Sequence, residues 1–231
     1  MPLPARRDMM LNDYTRTRIK ICGMTQMAEA RAAVQAGVDA LGFIFFAKSP
    51  RNITPDQARE IIATLPPFVD AVGVFVNEEL DHVRELVQYC GLTVVQLHGI
   101  ESPEYCEKVG GRILKAFSVR PGEGGGLEPA NGLAFAPYAD KVKGFLLDTF
   151  HPAVAGGSGQ AFDWDLLANS RPPGPLILAG GLSAANVGEA VRRVRPFAVD
   201  VNSGVEVAPG IKDIEQIRQV VAEVRRADNA S

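Results

Sequence analysis

The stretch RIKICGMTQMAEARAAVQAGVDALGFIF, Arg18 to Phe45, holds one complete structural unit. RIKIC (18–22) is a short apolar run that ends on a thiol. From Thr25, which is placed to cap a helix, apolar residues follow helical spacing through Glu29 to Ala36. Gly37 stops that pattern, and ALGFIF (40–45) is a second short apolar run. Strand, helix, strand in so few residues describes two parallel strands joined by a crossover helix.

The same alternation continues outward along the chain. Further strands are expected over DAVGVF (70–75), TVVQLH (93–98), RILKAFS (112–118), GFLLD (144–148), PLILAG (175–180) and FAVDV (197–201). Between them, Thr54-Pro55 opens a helix with proline at its first position. Asn77 precedes EELDHVRELVQYC, which stops at Gly91, and Ser102-Pro103 opens a helix ending near Gly110-Gly111. Ser183 is placed to cap AANVGEAVRRV, and Lys212 to Arg226 form the last helix. The segments after the fifth and sixth strands are rich in glycine and proline, so their helices are expected to be short. Eight strand-then-helix units with nearly continuous apolar strands specify a parallel sheet covered by helices. Closed into a ring, this is the α/β TIM barrel, (β/α)8, with eight parallel strands and outer helices. An open doubly wound sheet is the rival, but no G-x-G-x-x-G follows the first strand. No linker divides the chain. We expect a flexible N-terminal extension over 1–17 and a single barrel domain over 18–231.

Composition narrows the function classes. The 231 residues are 46% hydrophobic and 22% charged, which suits a globular domain with a sizeable core. A net charge of -3 argues against nucleic acid or a charged membrane surface as partner. No apolar run reaches the roughly 18 residues of a membrane helix. The first 17 residues lack the apolar centre of a secretory signal, and Met9 or Met10 is a candidate start. Three widely spaced cysteines, Cys22, Cys90 and Cys106, fit neither a disulfide framework nor a C-x-x-C metal site, and point to the reducing cytoplasm. His82, His98 and His151 are scattered, so no histidine metal centre is expected.

In such a barrel the chemistry sits where the strands end and in the loops that follow. Those positions are Cys22, Arg51, Gln96 and His98, Asp148, Gly180-Gly181, and Asp200 with Ser203-Gly204. The glycine pair, expected at the start of a helix, and the NSGVE segment after strand eight sit at the usual phosphate site of the fold. Either pair alone would serve equally as a tight turn. Asp148 emerges from an apolar run, where partial desolvation suits a carboxyl to general-acid work. A role capping the following loop is the plainer alternative. The loop beyond it carries G-G-S-G and has the makings of a lid. Arg51 is either a bidentate grip for a carboxylate or a solvated loop arginine. His98 shows no carboxylate partner in the sequence, and its role stays open. Cys22 stands across the ring from Asp148, so thiol and carboxyl form a candidate base and acid. Lys20 points the same way as Cys22 and helps hold a thiolate, whose pKa positive neighbours lower.

Taken in order, KICGMT, LGFIF followed by SPR, VGVF, VVQLHG, LLDT, GGSG-x-x-FDW, LAGGL, DVNSGVE and PGIKD resemble the phosphoribosylanthranilate isomerase family of tryptophan biosynthesis. The resemblance runs from Lys20 to Asp213. It implies a cofactor-free and metal-free barrel isomerase, monomeric or homodimeric, acting on a small-molecule substrate. The implied reaction is the Amadori rearrangement of N-(5-phosphoribosyl)anthranilate to 1-(o-carboxyphenylamino)-1-deoxyribulose 5-phosphate. It implies Asp148 as acid, Cys22 as base, Arg51 at the anthranilate carboxylate, and Gln96, His98 and Asp200 lining the pocket. Gly180, Gly181, Ser203 and Gly204 would hold the phosphate. Asn202 stands where the family more often has a small residue, which puts a side-chain phosphate contact there in question. Two other readings are weighed: an aminoaldose isomerase of histidine biosynthesis, which would place Asp where this chain has Cys22, and an inactive barrel serving as a binding subunit.

Overall fold

In the computed structural model, residues 14–121, 127–129, 133–148, 164, 167 and 171–230 are described. The strands are β1 (Arg18–Ile21), β2 (Ala40–Ile44), β3 (Asp70–Phe75), β4 (Val94–Leu97), β5 (Ile113–Pro121), β6 (Leu127–Pro129), β7 (Gly144–Asp148), β8 (Leu176–Ala179) and β9 (Ala198–Val201). All but β6 form a closed parallel ring, β1-β2-β3-β4-β5-β7-β8-β9, in which β9 returns to pair with β1. The eight-stranded barrel expected from the sequence is therefore the fold. β6 pairs antiparallel with the far end of β5 and takes no part in the ring. The helices α1 (Met27–Ala36), α2 (Pro55–Ile62), α3 (Leu80–Cys90), α4 (Pro103–Val109), α5 (Val187–Val194) and α6 (Ile214–Asn229) lie outside it. A small hairpin, β10 (Glu206–Ala208) with β11 (Ile211–Lys212), follows β9.

Side chains alternate across each strand, and both faces are buried. Ile19, Ile21, Leu41, Phe43, Leu97, Phe117, Leu147, Leu178 and Val199 join the layer beneath the helices. Ala116, Leu146, Ile177, Ala179 and Ala198 pack together as a second cluster, in register with an inward face. Burying each large apolar side chain contributes about 1.5–3 kcal/mol. Nearer the C-terminal ends, Cys22, Ile44 and Val74 form a third cluster. There the buried residues Lys20, Gln96 and Asp200 replace apolar ones.

Local signals place most helix ends as read. Thr54 and Gln57 form a reciprocal capping box on α2, and Ser102 accepts from the Tyr105 N–H at 3.2 Å on α4. Gly37 and Gly91 end α1 and α3 in the left-handed region, with φ of 94° and 75°. Three expectations are corrected. Thr25 does not cap α1; its hydroxyl donates instead to the Gly210 carbonyl at 2.5 Å, and the helix starts at Met27. Ser183 does not cap α5, which starts only at Val187; the Ser183 N–H donates to Asn186 Oδ1 at 2.9 Å in the loop before it. Lys212 belongs to β11, and the last helix begins at Ile214, capped by Asp213.

The ring is fastened at its seam. Asp228 of α6 accepts from the Thr17 backbone N–H at 3.0 Å and hydroxyl at 2.7 Å. Arg225 donates to the Thr17 carbonyl at 2.7 Å. Tyr14 meets the Phe197 ring edge-on at 4.6 Å, and Arg16 pairs with Asp39. The residues just before β1 thus dock on the barrel.

Candidate active site

Cys22 directly follows β1, where its backbone N–H donates to the Val201 carbonyl at 2.9 Å. Its side chain turns inward and is buried. The thiol has room because β2 carries Gly42 beside it: a methyl group there would come within 2.7 Å of Sγ. Two residues earlier on the same face, Lys20 Nζ donates to Asp200 Oδ1 at 2.8 Å, across the register that pairs Lys20 with Asp200. Both partners are buried. Burial pushes the Lys20 ammonium down, but Asp200 and Cys22 raise it by more, so it stays charged. For Cys22, burial pushes the thiol up; Lys20 pulls it back, Asp200 pushes it further, and the net result lies above the ordinary 9.0. Lys20 therefore favours the thiolate as expected. It does not bring the thiol below its usual range, because burial outweighs its pull and Asp200 adds to the burial.

Gln96 and His98 project inward from β4 and its end. The Gln96 amide nitrogen lies 3.2 Å from His98 Nδ1, and His98 Nε2 lies 3.8 Å from Asp148 Oδ2. The carboxylate partner that the sequence did not reveal for His98 is thus Asp148, brought across the mouth from the end of β7. Burial holds the imidazole below its ordinary 6.5; Asp148 and Asp200 raise it, while Lys20 and Lys115 lower it. Cys22, Lys20, Asp200, Gln96, His98 and Asp148 accordingly share one mouth.

Arg51 comes to this mouth in the loop after β2, held by a residue no motif reading had singled out. Its Nε and Nη2 donate to Glu206 at 2.9 and 2.7 Å. The same carboxylate accepts from Lys212 Nζ at 2.7 Å and from the Gly210 N–H at 3.1 Å. Burial raises the Glu206 pKa, but the bonds from Arg51 and Lys212 outweigh it and hold the group below its usual 4.5. Arg51 is therefore a bound arginine with Nε and Nη2 engaged, and not a solvated one. Asn202 is explained by the same network, since its Oδ1 accepts from Lys212 at 2.9 Å. Glu206 and Lys212 lay in plain view within NSGVE and PGIKD. The missing signal was the hairpin turn that folds one segment back on the other.

The phosphate candidates converge as well. Gly180 and Gly181 have φ of 90° and 62°, a backbone that only glycine adopts readily. Asn186 staples the turn by donating to the Gly181 carbonyl at 3.0 Å. A side chain at Gly204 would overlap the Leu182 carbonyl, so the loops after β8 and β9 touch backbone to backbone. The expectation that Gly180-Gly181 open a helix is corrected, because a turn intervenes before α5. Thr149 and the G-G-S-G segment lie outside the described residues. Among the described residues, no group of three His, Cys, Asp or Glu side chains is placed to hold a metal ion.

Fold and mouth together define the class: a (β/α)8 barrel enzyme with titratable groups gathered at the C-terminal ends of its strands. Comparison with known proteins narrows it. The family model described as N-(5'-phosphoribosyl)anthranilate (PRA) isomerase matches residues 19–223. The chain is 51% identical over 211 residues to the N-(5'-phosphoribosyl)anthranilate isomerase of Citrifermentans bemidjiense, covering 91% of this chain and 98% of that one. It is 50% identical over 210 residues to the protein of that name from Pseudomonas putida, with the same coverage of 91% and 98%. Among solved structures it is similar to phosphoribosyl anthranilate isomerase from Thermotoga maritima, with a TM-score of 0.81 and 42% identity over 91% of this chain and 99% of that one. A second similar structure, with a TM-score of 0.77 and 38% identity, covers 91% of this chain and 99% of its own. It is described as this isomerase in complex with reduced 1-(o-carboxyphenylamino)-1-deoxyribulose 5-phosphate. The chain belongs to the N-(5'-phosphoribosyl)anthranilate isomerase family and is an isomerase.

Proposed function

We propose that this chain converts N-(5-phosphoribosyl)anthranilate to 1-(o-carboxyphenylamino)-1-deoxyribulose 5-phosphate, a step of tryptophan biosynthesis. The observation that carries the reading is the buried Lys20–Asp200 pair, which stands between the Cys22 thiol and the His98–Asp148 group at one mouth. Asp148 gives a proton to the ribose ring oxygen. The bond from that oxygen to C1 breaks, and the anilino nitrogen's electron pair forms the C=N of a Schiff base. Cys22, as thiolate, takes the proton from C2; the C2–H electrons form the C1=C2 bond of an enolamine and neutralise the nitrogen. Tautomerisation returns a proton to C1, takes one from the C2 hydroxyl and leaves the ketone, so no atom is gained or lost. Each well-placed proton transfer contributes about 10²–10⁴-fold, or roughly 3–5 kcal/mol.

Binding follows from the rest of the mouth. Arg51, oriented by Glu206, takes the anthranilate carboxylate. Gly180, Gly181, Ser203 and Gly204 hold the phosphate through backbone N–H groups, and Gln96, His98 and Asp200 line the pocket between. Asn202 contributes no side chain to the phosphate, in keeping with its bond to Lys212. The reading places one barrel domain from Arg18 onward in the cytoplasm, in line with its free cysteines. It takes the assembly as a monomer or a homodimer, which sedimentation velocity separates. The test of activity is fluorometric. Phosphoribosylanthranilate is made in situ from anthranilate and phosphoribosyl pyrophosphate by its transferase, and its fluorescence is followed after this protein is added. A fast, protein-dependent decay that persists in chelator is expected. Decay at the background rate of hydrolysis rejects the reading.

A further inference from the structure

Gln96 raises a question the proposed reaction leaves unanswered. It is one of the most deeply buried polar residues of the barrel, at 2% exposure. Its side-chain oxygen Oε1 is buried and has no hydrogen-bond partner. A buried acceptor left unmet is a local cost that a structure keeps for a reason. The reason lies at the other end of the amide, where Nε2 faces His98 Nδ1 at 3.2 Å. An amide NH₂ can only donate, so the nitrogen facing it must be bare. The imidazole is then neutral, and its single proton sits on Nε2. That is the atom facing Asp148 Oδ2 at 3.8 Å. The reverse amide placement would leave a buried NH₂ unmet, which is rarer in proteins than an under-satisfied carbonyl.

We propose that Gln96 is a positioning residue that locks His98 neutral, with its proton on Nε2 and directed at Asp148. The inference rests on Asp148 as the general acid. At 3.8 Å the contact is longer than a hydrogen bond, as catalytic contacts often are before substrate binds. As Asp148 gives up its proton, negative charge grows on its carboxyl, and the Nε2–H is preorganised to meet it. Doubly protonated His98 would act differently, since a full positive charge favours the ionised form of a neighbouring carboxyl, which has no proton to give. The charged groups that bear on this imidazole are Asp148 of β7, Asp200 of β9, Lys20 of β1 and Lys115 of β5. Lys20 and Asp200 offset each other as a pair. That leaves the Gln96 contact as the specific device that selects the tautomer.

The experiment is a two-bond proton–nitrogen correlation spectrum of the histidine rings in the full chain. His82, His98 and His151 are its only histidines, and His98→Asn and His82→Asn variants assign the signals. The expected result is His98 with Nε2 protonated and Nδ1 bare across neutral pH. In Gln96→Glu the new carboxylate can only accept, so a proton is expected on Nδ1, with a fall in kcat of about tenfold or more out of the roughly 10²–10⁴ that a positioned acid supplies. A wild-type spectrum with the proton on Nδ1 overturns the proposal. So does a folded Gln96→Glu variant with an unchanged tautomer and unchanged kcat. Because the wild-type spectrum needs no variant at position 96, misfolding of Gln96→Glu leaves the proposal open to refutation. Absence of isomerase activity in the wild type would instead reject the function, whatever the tautomer.

Discussion

Cys22 and Asp148 carry the reaction proposed here, and the thiol makes a prediction of its own. Burial lifts the Cys22 thiol above its ordinary 9.0. We expect the ultraviolet thiolate absorbance that is lost in Cys22→Ala to appear only as pH rises beyond 9.0. Its appearance near about pH 7 would contradict this. Cys22→Ala and Asp148→Asn are each expected to lower kcat by about 10²–10⁴-fold, with circular dichroism and Tm little changed. A variant at either position with the parent kcat removes that residue from the mechanism.

Among the elements, the loops after β8 and β9, to which we assign the phosphate, make the sharpest demand on sequence. Gly204→Ala drives a methyl group into the Leu182 carbonyl and separates the loops after β8 and β9. The expected outcome is a raised KM and weakened binding of inorganic phosphate, read by calorimetry; unchanged affinity would show that the loops do not need this approach. Thr54→Ala removes the hydroxyl half of the capping box on α2, leaving the bond from the backbone N–H to Gln57, and should cost about 1 kcal/mol in urea denaturation, with activity intact. At this scale the sequence was highly legible. Strand cores such as GFLLD and DAVGVF have the expected bounds, because strands buried on both faces read as unbroken apolar runs. Helix ends were legible where the capping partner lies within a few residues, as with Thr54 and Gln57. They were not legible at Thr25, whose hydroxyl is taken by Gly210 from the far end of the chain. The site divides the same way. Strand ends named Cys22, His98, Asp148 and Asp200, whereas the hold of Glu206 on Arg51 spans 155 positions and left no local trace.

For the molecule as a whole, stability should depend on pH through the carboxylates that tie distant segments. Glu206 has a folded pKa below 4.5, and Asp39 lies below 3.8 with Arg16 and Arg225 beside it. A depressed carboxylate stabilises the fold fully above its unfolded value and loses that contribution as pH falls through the folded one. Unfolding midpoints should therefore hold steady down to about pH 5 and drop below it. A Tm independent of pH down to about pH 3 would show that these pairs contribute nothing. Glu206→Gln leaves buried Lys212 without its counter-charge and should destabilise by roughly 3–5 kcal/mol in urea. The seam between β1 and β9 carries a consequence for how the protein is made. Until the ribosome has delivered β9, the chain is an open sheet with β1 as a bare edge. During that interval Lys20 lacks Asp200, and a lysine meant for the interior faces water, which discourages premature burial. Synthesis at about 5–20 residues per second leaves that edge exposed for many seconds. The nascent chain thus keeps an edge open to pairing with a neighbour until β9 arrives. The ion pair that steadies the active site doubles as the latch that ends its exposure.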